Sequence, residues 1–247
     1  MPSVEKLPVR WRQSIWEWWS YRASHLGLGR GFRECTANLW DFLLDSTPSR
    51  RRQRYGDIDF DWDYRVDTTG ATVGWRDRLL GVFHSAYQPT EPGFFHPMLQ
   101  ALEIDFSKFT FIDLGSGKGR TLLMASDYPF RRILGVELLP SLHQIALQNL
   151  KKYTSPAQRC FAIESLCEDA RCFQFPPEPT VLYLFNPLPE EGLAAAMRNL
   201  AASLREHPRE IYVLYQNPVL RHVLDATPGL RYITSDQYYL LYKSDCA

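Results

Sequence analysis

From Phe109 onward the chain alternates short apolar runs with stretches of helical periodicity. Phe109 to Leu114, Arg132 to Glu137, Gln158 to Glu164, Thr180 to Phe185 and Glu210 to Tyr215 read as buried strands. Between them, helices are predicted at about Lys118 to Ser126, Pro140 to Tyr153, Pro189 to Glu206 and Pro218 to Ala226, with the prolines in first-turn positions where a missing N–H costs nothing. This alternation of strands and helices predicts an α/β fold, a mostly parallel sheet with helices on both faces. Arg231 to Thr234 and Gln237 to Lys243 lie too close together for a helical crossover, so the chain is expected to end in an antiparallel hairpin at one edge of the sheet.

The first third is patterned differently. Val9 to Asp45 reads as helical, with Trp11, Ile15, Trp18, Trp19 and Arg22 near helical spacing, and a second apolar stretch from Leu39 to Leu44 follows Asn38 and stops before Pro48. These aromatic residues suit a cap packed on the domain that follows, and they also offer a contact to a membrane surface or a protein. Next, the basic run Ser49 to Arg54 gives way to Asp57, Asp59, Asp61 and Asp63 alternating with Ile58, Phe60, Trp62 and Tyr64. So abrupt a charge reversal marks a linker, its acids lining a short edge strand or lying in irregular chain. Neither the spacing, the glycine nor the final glutamate of a calcium loop is present. The organisation expected is a helical extension with linker over residues 1–84 and a ligand-binding domain over 85–247.

Composition narrows the function. At 247 residues with 45% hydrophobic content, the chain can bury a sizeable core. Lys+Arg and Asp+Glu both total 28, a balance that gives no signal of a general nucleic-acid binder. The five cysteines include no C-x-x-C pair, so neither a disulfide framework nor a metal site is expected. His84 and His96 lack metal-ligand company. No apolar run is long enough to span a bilayer, and Arg12, Glu17 and Arg22 interrupt any signal-peptide core, so a cytoplasmic location is expected.

The chemistry concentrates where the first strand ends, in Ile112-Asp113-Leu114-Gly115-Ser116-Gly117-Lys118-Gly119-Arg120. Glycines at Gly115, Gly117 and Gly119 permit positive φ and close approach of the backbone to a ligand. The second strand ends in Glu137, the placement from which an acid reaches ribose hydroxyls in nucleotide-binding α/β folds. A nicotinamide or flavin dinucleotide is the competing ligand, but its fingerprint is G-x-G-x-x-G; here the third glycine comes one residue early and Arg120 fills its slot. A P-loop frame is absent. Lys118 and Arg120 are expected to be solvated at the helix start or paired with nearby acids.

This stretch resembles motif I of class I S-adenosylmethionine-dependent methyltransferases, and the resemblance extends over about Tyr87 to Lys243, most strongly to bacterial members that also carry Asn-Pro after the fourth strand. It implies a seven-stranded sheet with an antiparallel final hairpin and S-adenosylmethionine as cofactor. It further implies that Asp113, Gly115, Gly117 and Gly119 meet the methionine end, Glu137 the ribose and Asp169 the adenine amino group. Tyr87 and Thr90, in the polar and aromatic stretch before the first strand, are candidates for covering the cofactor; Glu91 is a candidate base or receptor for a cationic substrate. Asn186-Pro187, just beyond the fourth strand, resembles the Asn-Pro-Pro-aromatic motif of amino-directed enzymes, in which an amide aims the target nitrogen. Leu188 and Pro189 depart from that motif and remove the stacking aromatic, so a planar base loses support as acceptor. Asn186 either orients an acceptor amine or stabilises the turn, and Asn217-Pro218 repeats the arrangement one unit later without an assigned catalytic role.

The expectation is therefore methyl transfer from S-adenosylmethionine to an unidentified acceptor, an amine of a protein or small molecule preferred. The alternatives are a noncatalytic binding or scaffold protein that keeps the fold, or a dinucleotide-binding protein.

Overall fold

A computed structural model of the chain describes residues 58–69 and 89–245. The tryptophan-rich segment, the basic run and Tyr87 lie outside the described residues. In chain order the elements are α1 (Ile58–Tyr64), α2 (Pro92–Gln100), β1 (Thr110–Leu114), α3 (Arg120–Ala125), β2 (Arg132–Val136), α4 (Pro140–Lys152), β3 (Ile163–Leu166), β4 (Thr180–Leu184), α5 (Glu190–Glu206), β5 (Ile211–Gln216), α6 (Arg221–Asp225), β6 (Leu230–Ser235) and β7 (Tyr239–Ser244). They build one seven-stranded sheet in the order β3-β2-β1-β4-β5-β7-β6. Strands β1 to β5 pair in parallel, whereas β7 runs antiparallel to both β5 and β6, as the closing hairpin required.

Period-two alternation in the central strands feeds two cores. On one face Ile112, Leu114, Leu182, Leu184 and Val213 pack with Leu193, Met197 and Leu200 of α5. On the other, Phe111, Val181, Tyr183 and Leu214 pack with Phe95 and Leu99 of α2 and with Leu122 and Leu123 of α3. All five residues of β1 and of β4 are buried, as expected of strands covered on both sides. The site therefore forms where β1, β2 and β4 run out at their carboxyl ends, beside the gap between β1 and β4 where the strand order reverses.

Two expectations are corrected. The third strand begins at Ile163, not Gln158, because the amides of Arg159 and Cys160 both donate to the Ser126 carbonyl, at 2.7 and 3.0 Å, and tie that stretch to the end of α3. The alternating acids form no strand; residues 58–64 are helical. At i, i+4 spacing Phe60 and Tyr64 share a helix face, with ring centroids 4.8 Å apart, and Tyr64 meets Tyr153 at 5.0 Å, while Trp62 is 82% exposed. Phe60 and Val66 are buried in the same core as α2 and α3. Each such burial stabilises by roughly 1.5–3 kcal/mol, enough to select the helix over the period-two alternative.

Candidate functional site

The glycine turn closes through backbone geometry that only glycine takes cheaply. Gly115, Gly117 and Gly119 have φ of 86°, 54° and 84°. A Cβ on Gly115 would lie 2.6 Å from Cβ of Pro187, and one on Gly119 would lie 3.2 Å from Cβ of Ala146. Thus the turn is pressed between the loop after β4 and α4, and the candidate Pro187 forms one wall directly against it. Gly135 on β2 makes the same kind of room: a Cβ there would meet Ser116 Oγ at 2.7 Å and Leu122 Cδ1 at 2.6 Å. A strand glycine between apolar residues is the sequence signal of such a close approach.

The amides of Gly115, Ser116, Gly117 and Gly119 are spent inside the protein. Gly115 and Ser116 N–H donate to the Val136 carbonyl at 2.8 and 3.1 Å, and Gly119 N–H donates to the Ser116 carbonyl at 2.8 Å. Gly117 N–H donates to Glu137 Oε2 at 2.8 Å, and Leu139 N–H donates to Glu137 Oε1 at 2.7 Å. Glu137 is buried, and burial raises its pKa despite those amides. Asp113, at the end of β1 opposite Gly135, is buried too and accepts the Thr121 hydroxyl. Burial is the main cause pushing its pKa up to about 7; Thr121 opposes that shift and the charge of Glu137 adds to it. Two acids thus converge on one turn, each raising the cost of the other's charge.

Both neighbouring cations turn toward residues 61–69. Lys118, fully buried, puts Nζ 2.6 Å from Asp67 Oδ1. Arg120, 2% exposed, donates from Nε to Thr68 Oγ1 at 2.6 Å and from Nη2 to Thr69 Oγ1 at 2.8 Å and Asp61 Oδ1 at 3.3 Å, with Phe60 beneath the guanidinium. Pairing with acids is thus realised, and solvation is not.

In the loop after β4 Asn186 has φ 45°; its Nδ2 donates to the Asn217 carbonyl at 2.7 Å, and its Oδ1 accepts from the Tyr215 hydroxyl at 2.8 Å. The two Asn-Pro turns are therefore stitched together, and Asn217 mirrors the same left-handed backbone with φ 47°. Thr90 is buried, its Oγ1 2.7 Å from the Tyr183 hydroxyl, which in turn donates to Gln216 Oε1. Burial raises the Tyr183 pKa well above the usual tyrosine range, so the phenol stays neutral. Tyr183 pairs with Asp113 across β1 and β4. It was missed because one tyrosine in an apolar strand carries no signal of its distant partners. Glu91 is exposed at the N-cap of α2. Asp169 caps the 3-10 turn Ala170–Cys172 and binds Arg171 through an ion pair of 2.6 Å. The structure brings Asp113, the three glycines, Glu137 and Pro187 together; Asp169 and Asn186 sit nearby with their polar groups already engaged.

Among the described residues no cluster of His, Cys, Asp or Glu suits a metal ion, and no helix is long and apolar enough to cross a membrane. No protein-family model and no curated protein matches the chain. Among solved structures it is similar to an RNA methyltransferase from Salinibacter ruber in complex with S-adenosyl-L-homocysteine, at 22% identity and TM-score 0.43, covering 64% of this chain and 92% of that one. It is also similar to TrmN from Thermus thermophilus, at 16% identity and TM-score 0.46, covering 66% of this chain and 51% of that one. A third is the ribosomal protein L11 methylase from Lactobacillus delbrueckii subsp. bulgaricus, at 13% identity and TM-score 0.45, covering 64% and 80%. The strand order β3-β2-β1-β4-β5-β7-β6 with its reversed β7 is the arrangement implied by the motif's resemblance, and the chain has the fold of the class I S-adenosylmethionine-dependent methyltransferases.

Proposed function

We propose that the chain binds S-adenosylmethionine over the glycine turn and transfers its methyl group to an acceptor, preferably an amine of a protein or small molecule. The observation that carries this reading is the turn's electrostatics. A dinucleotide's pyrophosphate is held by free N–H groups of the glycine turn and the helix start. Here the amides of Gly115, Ser116, Gly117 and Gly119 are consumed internally, and Glu137 lies on Gly117. Two buried acids, Asp113 and Glu137, instead favour a ligand with positive charge. S-adenosylmethionine carries an ammonium and a sulfonium and no phosphate.

The residues present fit that group. Asp113 would accept from its ammonium, and the glycines would let its methionine end approach the backbone. Glu137 accepts from the amides of Gly117, Leu138 and Leu139, which leaves an acceptor position on its carboxylate for a ribose hydroxyl. Asp169, shared with Arg171, would face the adenine amino group, and Thr90, held by Tyr183, would border the cofactor. When bound, the group supplies an electrophilic methyl carbon. What the protein must add is in-line placement of a nucleophile and exclusion of water. Asn186 Oδ1 keeps one lone pair beyond the Tyr215 hydroxyl, and that lone pair would accept an N–H of the acceptor amine and aim its electron pair. Glu91 would receive a cationic acceptor or take its proton at the exposed rim.

Calorimetry with S-adenosylhomocysteine and with NAD tests the donor: binding of NAD without S-adenosylhomocysteine overturns the reading. Labelled S-adenosylmethionine incubated with cell extract tests turnover. Donor binding with no labelled product would instead support a noncatalytic protein of the same fold.

A further inference from the structure

The segment before the domain carries a second set of chemistry that the donor site does not use. Asp61, at 15% side-chain exposure, is the hub: its carboxylate accepts the Thr68 and Thr69 amides at 2.8 and 2.7 Å, both threonine hydroxyls, and Arg120 Nη2. Burial raises its pKa, and the bonds from Thr68 and Thr69 outweigh burial and hold it below the ordinary carboxylate range, so it is charged opposite Arg120. A second strand of the clasp runs through Asp67. Its carboxylate takes Lys118 Nζ, its amide donates to Asn149 Oδ1 at 2.8 Å, and its carbonyl accepts from Asn149 Nδ2 at 2.8 Å. Asn149 Nδ2 also reaches the Lys118 carbonyl at 3.0 Å. Lys118 and Arg120 flank Gly119, so residues 61–69 grip the glycine turn at both sides of its last glycine.

We propose that Asp61 and Asp67 are positioning residues for the methyl donor: they fix the backbone of Gly117 to Gly119 through Arg120 and Lys118, and the donor site is incomplete without this acidic segment. A turn with three positive-φ residues has many near-degenerate conformations, and whereas the amides of Gly115, Ser116 and Gly117 are anchored to Val136 and Glu137, that of Gly119 reaches only the Ser116 carbonyl within the turn. Two charge-assisted bonds to side chains adjoining Gly119 select one of them. The inference rests on the proposed donor site for its functional consequence, but the clasp's effect on the turn is measurable without any ligand.

Hydrogen exchange on the ligand-free protein is the first arm, because Gly117 and Gly119 N–H are both hydrogen-bonded and their exchange reports opening of the turn. In Asp67→Asn these two amides are expected to exchange about tenfold faster, while amides of β6 and β7 keep wild-type rates. Asp61→Asn should act in the same direction and more strongly, and Asp67→Glu should restore slow exchange. The second arm is calorimetry with S-adenosylhomocysteine, whose affinity should fall about tenfold in Asp67→Asn at an unchanged melting temperature. Unchanged exchange at Gly117 and Gly119 in Asp67→Asn overturns the proposal, as does an equal acceleration in the hairpin, which would make the clasp a general structural prop. Wild-type protein that ignores S-adenosylhomocysteine while the exchange result holds would remove the donor assignment and leave the clasp.

Discussion

At Gly115 two independent constraints fall on one position: a φ of 86° and a Pro187 Cβ that any side chain would meet at 2.6 Å. Gly115→Ala should therefore destabilise on the order of 1–3 kcal/mol from backbone strain alone and push Pro187 off the turn. Urea unfolding measures the first effect and donor affinity the second; a variant with wild-type values of both would show that the loop after β4 yields freely. Asn186 makes the contrasting case, because its side chain joins two turns and, in the proposed function, would also offer a lone pair to the acceptor. Asn186→Ala is expected to keep donor affinity and lose turnover by 10- to 100-fold, roughly the loss of one orienting hydrogen bond, about 1.5–3 kcal/mol. Loss of stability with unchanged turnover per folded molecule would make Asn186 a turn residue only. The glycines were legible because their conformational freedom is intrinsic to the residue. The engagement of Asn186 was half legible, since the repeated Asn-Pro announced two similar turns but not that one would bind the other.

Among the elements, α1 and the turn it grips show what a sequence pattern hides. The strands and long helices were readable because each carries its own periodicity, whereas the pairing of Arg120 with Asp61 joins residues 59 apart and leaves no local trace. Alternating acids and aromatics satisfied a period-two reading and also placed Phe60 and Tyr64 four apart; burial against Tyr153 and the α2–α3 core decided for the helix. The start of β3 differs from the sequence expectation for a related reason, since the bonds of Arg159 and Cys160 to Ser126 belong to no repeating pattern. Arg120→Met should cost about 3 kcal/mol, because Asp61 is left as a largely buried carboxylate with its cation gone. Comparing urea midpoints at constant slope checks this. A shift near zero would mean that the hydroxyls and amides of Thr68 and Thr69 carry the charge alone.

For the molecule as a whole, Asp113 links folding, pH and ligand in one equilibrium. Its pKa is raised to about 7 from an ordinary 3.8, chiefly by burial, so the folded protein holds a proton that the unfolded chain releases at lower pH. The stability this contributes is fully present below the unfolded pKa and is lost as pH rises through about 7. The ligand-free protein should therefore unfold at progressively lower urea between about pH 4 and about pH 7, the window bounded by the two pKa values, and Asp113→Asn should flatten that trend. A cationic ligand reverses the preference, since an ammonium beside Asp113 stabilises the carboxylate. Donor binding must then expel the proton, and affinity for S-adenosylhomocysteine should rise up to about tenfold per pH unit on approaching pH 7 and level off above it. Ligand at about 100 times its dissociation constant adds about 2.7 kcal/mol to folding, so the ligand-induced rise in melting temperature should grow over the same interval in which the free protein weakens. Calorimetry in buffers of different ionisation enthalpy counts the proton directly at pH 6. Binding that releases no proton there would place the ammonium away from Asp113 and dissolve the link between the buried acid and the ligand's charge.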